Sequence, residues 1–218
     1  CHKAGIKVVM DNTWSAGYFF KPFQHGVDVS VQAATKYYVG HSDAMLGSIT
    51  TTKSNYAAIR NSARLLGYHA GPDDSYLGLR GIRSLASRIK QHEKNALKVA
   101  DWAAGRREVL RVLHPAFPSC PGHKFWKRDF TGSSGLFSIL LNECSDEAVA
   151  RMIDGLELFA LGGSWGGYES LILRTQLTRT VTEWNYNTPC IRLHIGLEDP
   201  ADLIEDLTAG LARLNIGG

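Results

Sequence analysis

The sequence predicts an α/β fold in two parts: the end of a large domain built on a parallel sheet, over residues 1–82, and a smaller α+β domain over residues 83–218. Three observations carry this. Short continuous apolar runs, each closed by a glycine- or proline-marked loop, fill residues 6–51, the pattern of strands buried on both faces. One amphipathic pattern of helical period then runs from Asp73 toward Ala104. Beyond it the texture changes to single strands alternating with short helices.

Taken in order, Cys1–Gly5 reads as the last turn of a helix, with Gly5 as its C-cap. Ile6–Met10, Val27–Gln32 and Ala44–Thr51 are the candidate strands of the first part, and 54–67 a helix. Asp73 and Asp74 can cap the long helix. Its inward stripe is Leu85, Ile89, Ala96, Val99, Ala100 and Ala103, with His92 as a packed core histidine; Arg88, Lys90, Glu93, Lys94, Lys98 and Asp101 take the other faces. Val109–Leu113 is a strand, 114–134 a loop rich in Pro, Gly and Ser, and Gly135–Leu141 a strand. Asp146–Leu161 reads as a helix capped by Ser145, and Ile191–Leu197 as a strand. Asp199-Pro200 opens the last helix, whose buried stripe is Leu203, Leu207, Leu211 and Leu214.

Composition narrows the function. With 44% hydrophobic and 21% charged residues, the chain can bury a core and is not a disordered segment. The net charge of +3 comes without a run of like charges, which removes the usual footprint for nucleic acid; Lys124, Lys127 and Arg128 read as a solvated loop. No apolar run reaches the ~18 residues a membrane span needs. Cys1, Cys120, Cys144 and Cys190 form no C-x-x-C pair, so neither a zinc site nor a dithiol is expected, and they read as reduced, mostly buried cysteines of a cytoplasmic protein. Because the chain opens at Cys1 in what reads as a final helical turn, an upstream half is expected to be missing from it.

Three charged residues stand where chemistry is done. Asp11 ends the first apolar run, Lys36 follows the second, and Arg192 lies inside the last strand. In open α/β sheets ligands bind beyond the carboxyl ends of the strands, where Asp11 and Lys36 would lie. Singly, each has an ordinary reading as turn residue, solvated amine or ion-pair partner. Together they match one demand. Pyridoxal phosphate needs a lysine to bond it and an acid for its ring nitrogen. A guanidinium can grip the carboxylate of an amino-acid substrate with two hydrogen bonds.

The stretch 8–47, with Asp-Asn-Thr at 11–13 and Ala-Thr-Lys-Tyr at 34–37 leading to Gly-His-Ser-Asp at 40–43, resembles the Cys/Met-metabolism family of pyridoxal-phosphate enzymes. The resemblance runs on through Lys124–Gly135, Ser164–Ser170 and Ile191–Asp199, where it is strongest to members that break the β carbon–sulfur bond of L-cystathionine in methionine biosynthesis. It implies fold type I, the aspartate-aminotransferase-like fold, with pyridoxal 5′-phosphate as cofactor and a homotetramer when full length. It also implies roles. Lys36 would bond the cofactor and take the substrate's α-proton, Asp11 would pair with the ring nitrogen, and Thr35 would reach the phosphate. Ser164 and Arg192 would hold the substrate carboxylate, with Trp165 walling the pocket. Two positions depart from the pattern: Ala33 stands where many relatives carry a serine, and Gly163 where β-acting members often have tyrosine and γ-acting ones an acid. Family members are nearly twice as long. Their remaining half supplies an aromatic ring, a phosphate loop, and a tyrosine and arginine for the neighbouring subunit's site.

Overall fold

The computed structural model describes residues 1–181 and 183–214. The chain enters through a 3-10 turn, His2–Ala4, which Gly5 closes in the left-handed region (φ +69°). Three strands follow: β1 (Val9–Asp11), β2 (Val29–Ala33) and β3 (Gly47–Thr51). β1 and β2 run parallel, Asp11 opposite Val31, while β3 returns antiparallel on the other side of β2. The sheet is therefore mixed, not wholly parallel as expected. Within this chain β1 lies at the edge of the sheet and Val9 is 63% exposed. β2 sits between two neighbours and is the strand that is buried.

Helix α1 (Lys53–Leu65) leads to α2 (Pro72–Ala104), 33 residues without a break. The expected side-chain caps are absent from α2. Gly71 is the N-cap and Pro72 takes the first helical position, where a missing N–H costs nothing, while Asp73 and Asp74 add negative charge to the first turn. The inward stripe is as read, from Leu85 to Ala103, and His92 is fully buried among it. Arg88 is not on a solvated face: it is 7% exposed.

The second half is a five-stranded sheet in the order β4-β5-β8-β7-β6. Its strands are β4 (Val109–Leu113), β5 (Leu136–Leu141), β6 (Ala160–Leu161), β7 (Leu171–Thr175) and β8 (Cys190–His194). All neighbours are antiparallel except β6 and β7. The presumed loop 114–134 contains α3 (His123–Asp129), so Lys124, Lys127 and Arg128 stand on a helix, not a loop. The helix expected to reach Leu161 is α4 (Asp146–Asp154); it stops at Gly155, and Ala160–Leu161 pairs with β7 instead. Ser145 caps α4 by accepting from the Ala148 N–H, and Asp199 caps α5 (Pro200–Ala212) by accepting from the Ala201 N–H. One apolar core joins α2, α4, α5 and this sheet, from Ala96 and Val99 through Ile191 and Leu193 to Leu203 and Leu207. A smaller one joins Ala16, Phe19 and Tyr37 to Leu85 and Ile89 of the same α2.

All four cysteines are free; only Cys190 is buried, and Cys1 is exposed, against the expectation that most would be inside. Among the described residues no helix is long and apolar enough to cross a membrane. A groove of about 550 Å³ lies between the β2–β3 pair and α1, lined by Val31, Leu46, Ile49, Tyr56 and Ile59 among others.

Candidate functional site

The site grows from a tight turn after β2. Residues 33–40 wind into a short helical turn, with Lys36 N–H donating to Ala33, Val39 N–H to Ala34 and Gly40 N–H to the Lys36 carbonyl. Gly40 ends it at φ +74°, in the left-handed region that suits glycine. Asp11, the last residue of β1, is linked to the foot of that turn. Its Oδ1 accepts from the Thr13 N–H at 2.9 Å and the Thr13 hydroxyl at 2.5 Å. The same hydroxyl accepts from the Ala33 N–H at 2.8 Å. Parallel pairing thus brings the carboxylate and the lysine turn to the same end of the sheet.

Lys36 is half-buried and points to the second half of the chain. Its Nζ donates to Ser164 Oγ at 2.7 Å and lies 5.6 Å from the centre of the Trp165 indole. Burial, and then the nearby charge of Arg192, hold its pKa below the usual lysine value of 10.5. Arg192 comes from β8, where side chains alternate. Ile191 and Leu193 enter the apolar core, so Arg192 and His194 share the opposite face, and Arg192 donates weakly to the Gly162 carbonyl at 3.4 Å. The sheet of the second half thereby delivers a cation beside the lysine of the first.

The structure brings Lys36, Ser164, Trp165 and Arg192 together, with Asp11 at the base of the turn. Thr35 lies in the same turn: its Oγ1 accepts from the Leu46 N–H at 2.9 Å and donates to the Leu46 carbonyl at 3.3 Å, tying the turn to the chain ahead of β3. Four supporting residues were not singled out from sequence. Thr13 bridges Asp11 to the turn. Tyr37 is buried behind Lys36, accepts from the Gly135 N–H at 3.0 Å, and has its hydroxyl pKa pushed up to about 12 by burial. Arg88 donates to the carbonyls of Gly81 at 2.8 Å and Tyr38 at 3.4 Å, so α2 grips the turn from behind. His194 reaches the Gly166 N–H at 3.0 Å. For His194 a signal was available, since it lies two residues from Arg192 in a strand; for Arg88 there was one too, since it falls at the helical spacing between Leu85 and His92 of the inward stripe.

A family model described as "Cys/Met metabolism PLP-dependent enzyme" matches residues 1–212. The chain belongs to that family. Among its relatives, cystathionine β-lyase of Escherichia coli strain K12 is 49% identical over 95% of this chain and 54% of its own length. An L-alanine/L-glutamate racemase of Wolbachia pipientis wMel is 43% identical over 96% of this chain and 53% of its own. A solved cystathionine γ-synthase of Xanthomonas oryzae pv. oryzae, in complex with aminoacrylate and cysteine, superposes with a TM-score of 0.90 at 33% identity, over 98% of this chain and 57% of that one. The chain spans about half the length of the curated relatives it matches, and its fold is that of the family, fold type I.

The family's cofactor is pyridoxal 5′-phosphate, and the residues present fit it. The donor set holds a carboxylate, an amine of lowered pKa and a guanidinium. Thr13 occupies Oδ1 of Asp11, while Oδ2 accepts no hydrogen bond among the described residues and is open to a ring N–H.

Proposed function

We propose that this chain carries the lysine, the acid and the carboxylate-binding arginine of a carbon–sulfur lyase that converts L-cystathionine and water to homocysteine, pyruvate and ammonia. The observation that supports it most is the contact of the Ser164–Trp165 loop with Lys36 Nζ at 2.7 Å, because it sets a hydroxyl and an indole wall on the reacting amine.

Pyridoxal phosphate, when bound, supplies the electron sink that lets the α-proton of an amino acid be removed. The chain's own groups do the rest. Asp11 Oδ2 holds a proton on the ring nitrogen, and Thr13 keeps the carboxylate turned for it. Arg192 and Ser164 bind the substrate carboxylate. Lys36 takes the α-proton at Nζ; its lowered pKa gives it a larger neutral fraction near pH 7 than an ordinary lysine. Trp165 excludes water from one side. Thr35 holds the turn in shape through Leu46, and its hydroxyl would be the turn's contact to the cofactor phosphate. The same reading carries a homo-oligomeric full-length enzyme and a domain boundary near residue 82, inside α2.

A γ-acting reaction is the second reading, favoured by the superposition on a γ-synthase. γ-Elimination needs a second proton removed at Cβ, and Asp11, Lys36 and Arg192 serve both chemistries. The β reading rests on the periphery: the indole at 165 confines the substrate's distal arm, and position 163 offers no acidic side chain. Product analysis of the full-length enzyme with L-cystathionine tests it. Pyruvate and homocysteine are expected; 2-oxobutyrate and cysteine as main products would make it a γ-lyase.

A further inference from the structure

The loop that covers Lys36 is held from behind by one imidazole. His194 is 1% exposed and lies on the face of β8 shared with Arg192. Its Nε2 is 3.0 Å from the Gly166 nitrogen and 3.1 Å from the Gly167 carbonyl oxygen. Gly166 is the residue after Trp165 and two after Ser164, and it presses on the lysine turn. A Cβ built on it would lie 2.9 Å from the Lys36 carbonyl carbon and the Tyr37 nitrogen. So the backbone at 166 is wedged between His194 and the backbone of Lys36.

The tautomer follows from the partners. Gly166 is buried, and its N–H is directed at Nε2, which cannot at the same time carry a proton toward it. The Gly166 N–H therefore donates to Nε2, which must carry no proton, and the ring proton sits on Nδ1. Among the described residues Nδ1 has no hydrogen-bond partner. The neighbouring ring, His92, has its centroid 5.3 Å away; its Nδ1 bonds the Ile195 carbonyl at 2.8 Å, and its Nε2 is unpartnered too.

We infer that His194 is a positioning residue for substrate binding: as an unprotonated acceptor at Nε2 it fixes Gly166, and through it sets Ser164 and Trp165 over Lys36. This rests on the proposal that Ser164 and Arg192 hold the substrate carboxylate. It adds that the grip depends on a third side chain that touches neither substrate nor cofactor. Burial keeps His194 neutral, with its pKa lowered to about 3, so the acceptor persists at neutral pH.

The test uses the full-length enzyme and three variants. His194→Phe keeps a ring but loses the acceptor. KM for L-cystathionine, and Kd for a non-reacting amino-acid analogue, should each rise roughly tenfold, the worth of one buried hydrogen bond, with cofactor content unchanged. His194→Gln can return an amide oxygen to the Gly166 N–H and should recover most of the loss. A Phe variant with wild-type KM, or a Gln variant no better than Phe, overturns the inference. Arg192→Lys in the same assay tests the underlying reading: if its KM is also unchanged, the carboxylate site itself has been misassigned. Should the Phe protein not fold, nitrogen-15 NMR of the wild-type imidazole decides. An unprotonated Nε2 supports the inference and a protonated one overturns it.

Discussion

At the scale of single residues, Lys36 is governed by two opposing surroundings. Desolvation and Arg192 both disfavour its charge, while Ser164 Oγ accepts from it. Of the two disfavouring causes burial is the larger, so removing Arg192 lifts only part of the depression. In the full-length enzyme freed of cofactor, Arg192→Leu should move the midpoint of Lys36 reactivity toward an amine-specific reagent to higher pH, still short of 10.5. A midpoint that stays put would mean that Arg192 does not act on the lysine. Asp11, Lys36 and Arg192 were legible because a strand end, a turn and an alternating strand each gave them a place. Arg88 was not read so, since a cation on a long helix ordinarily reads as solvated, although it shares the helical spacing of Leu85 and His92. It is held instead by carbonyls, with Nη1 unpartnered and its pKa lowered by burial.

At the scale of elements, the contact between α2 and the lysine turn can be tested at two glycines one helical turn apart. Alanine is better than glycine inside a helix by roughly 1 kcal/mol, so on propensity alone both Gly78→Ala and Gly81→Ala would stabilise. At Gly81 the new Cβ would lie 2.1 Å from the Tyr38 carbonyl oxygen and 2.5 Å from that of Val39, both backbone. At Gly78 it would lie 2.5 Å from Leu46 Cδ2, the end of a flexible side chain. Gly81→Ala is expected to lower stability by about 1–3 kcal/mol and to weaken cofactor retention, whereas Gly78→Ala stays within about 1 kcal/mol of the parent. Thermal melts of the two full-length variants check this; equal melting points would refute the close backbone approach. Most elements could be read from periodicity and caps, and the failures have causes. α4 was overrun because Leu156 and Phe159 continue an apolar spacing past Gly155, although the loop there is held by Asp206 of α5, which accepts from the N–H groups of Glu157, Leu158 and Phe159. α3 was missed because Pro, Gly and Ser on both sides outweighed a seven-residue helix. β7 went unassigned although Leu-Ile-Leu-Arg-Thr is a fair strand sequence; its pairing with β8 is set by tertiary structure.

At the scale of the whole molecule, three histidines share one thermodynamic sign. His92 and His114 have pKa values lowered to about 4 and His194 to about 3, each mainly by burial. Between those values and the ordinary 6.5, the unfolded chain binds protons that the folded chain refuses, so stability falls as pH drops from about 6.5 toward 4. A loss on the order of 2–3 kcal/mol per histidine is expected across that window. His114→Phe, which removes a ring wedged between Phe117 and Phe137, should flatten the decline measured by melts from pH 7 to 4.5. An identical decline in the variant would show that the histidine is not its source. The apolar groove by α1 and the two separate cores divide the chain, but α2 belongs to both cores. Its 33 residues make a rod of about 50 Å. Gly81 in its first third and Arg88 at its midpoint back the lysine turn, and Ala96–Ala103 toward its C-terminal end support the sheet that carries Arg192. One unbroken helix thus backs both the lysine turn and the sheet that carries the arginine.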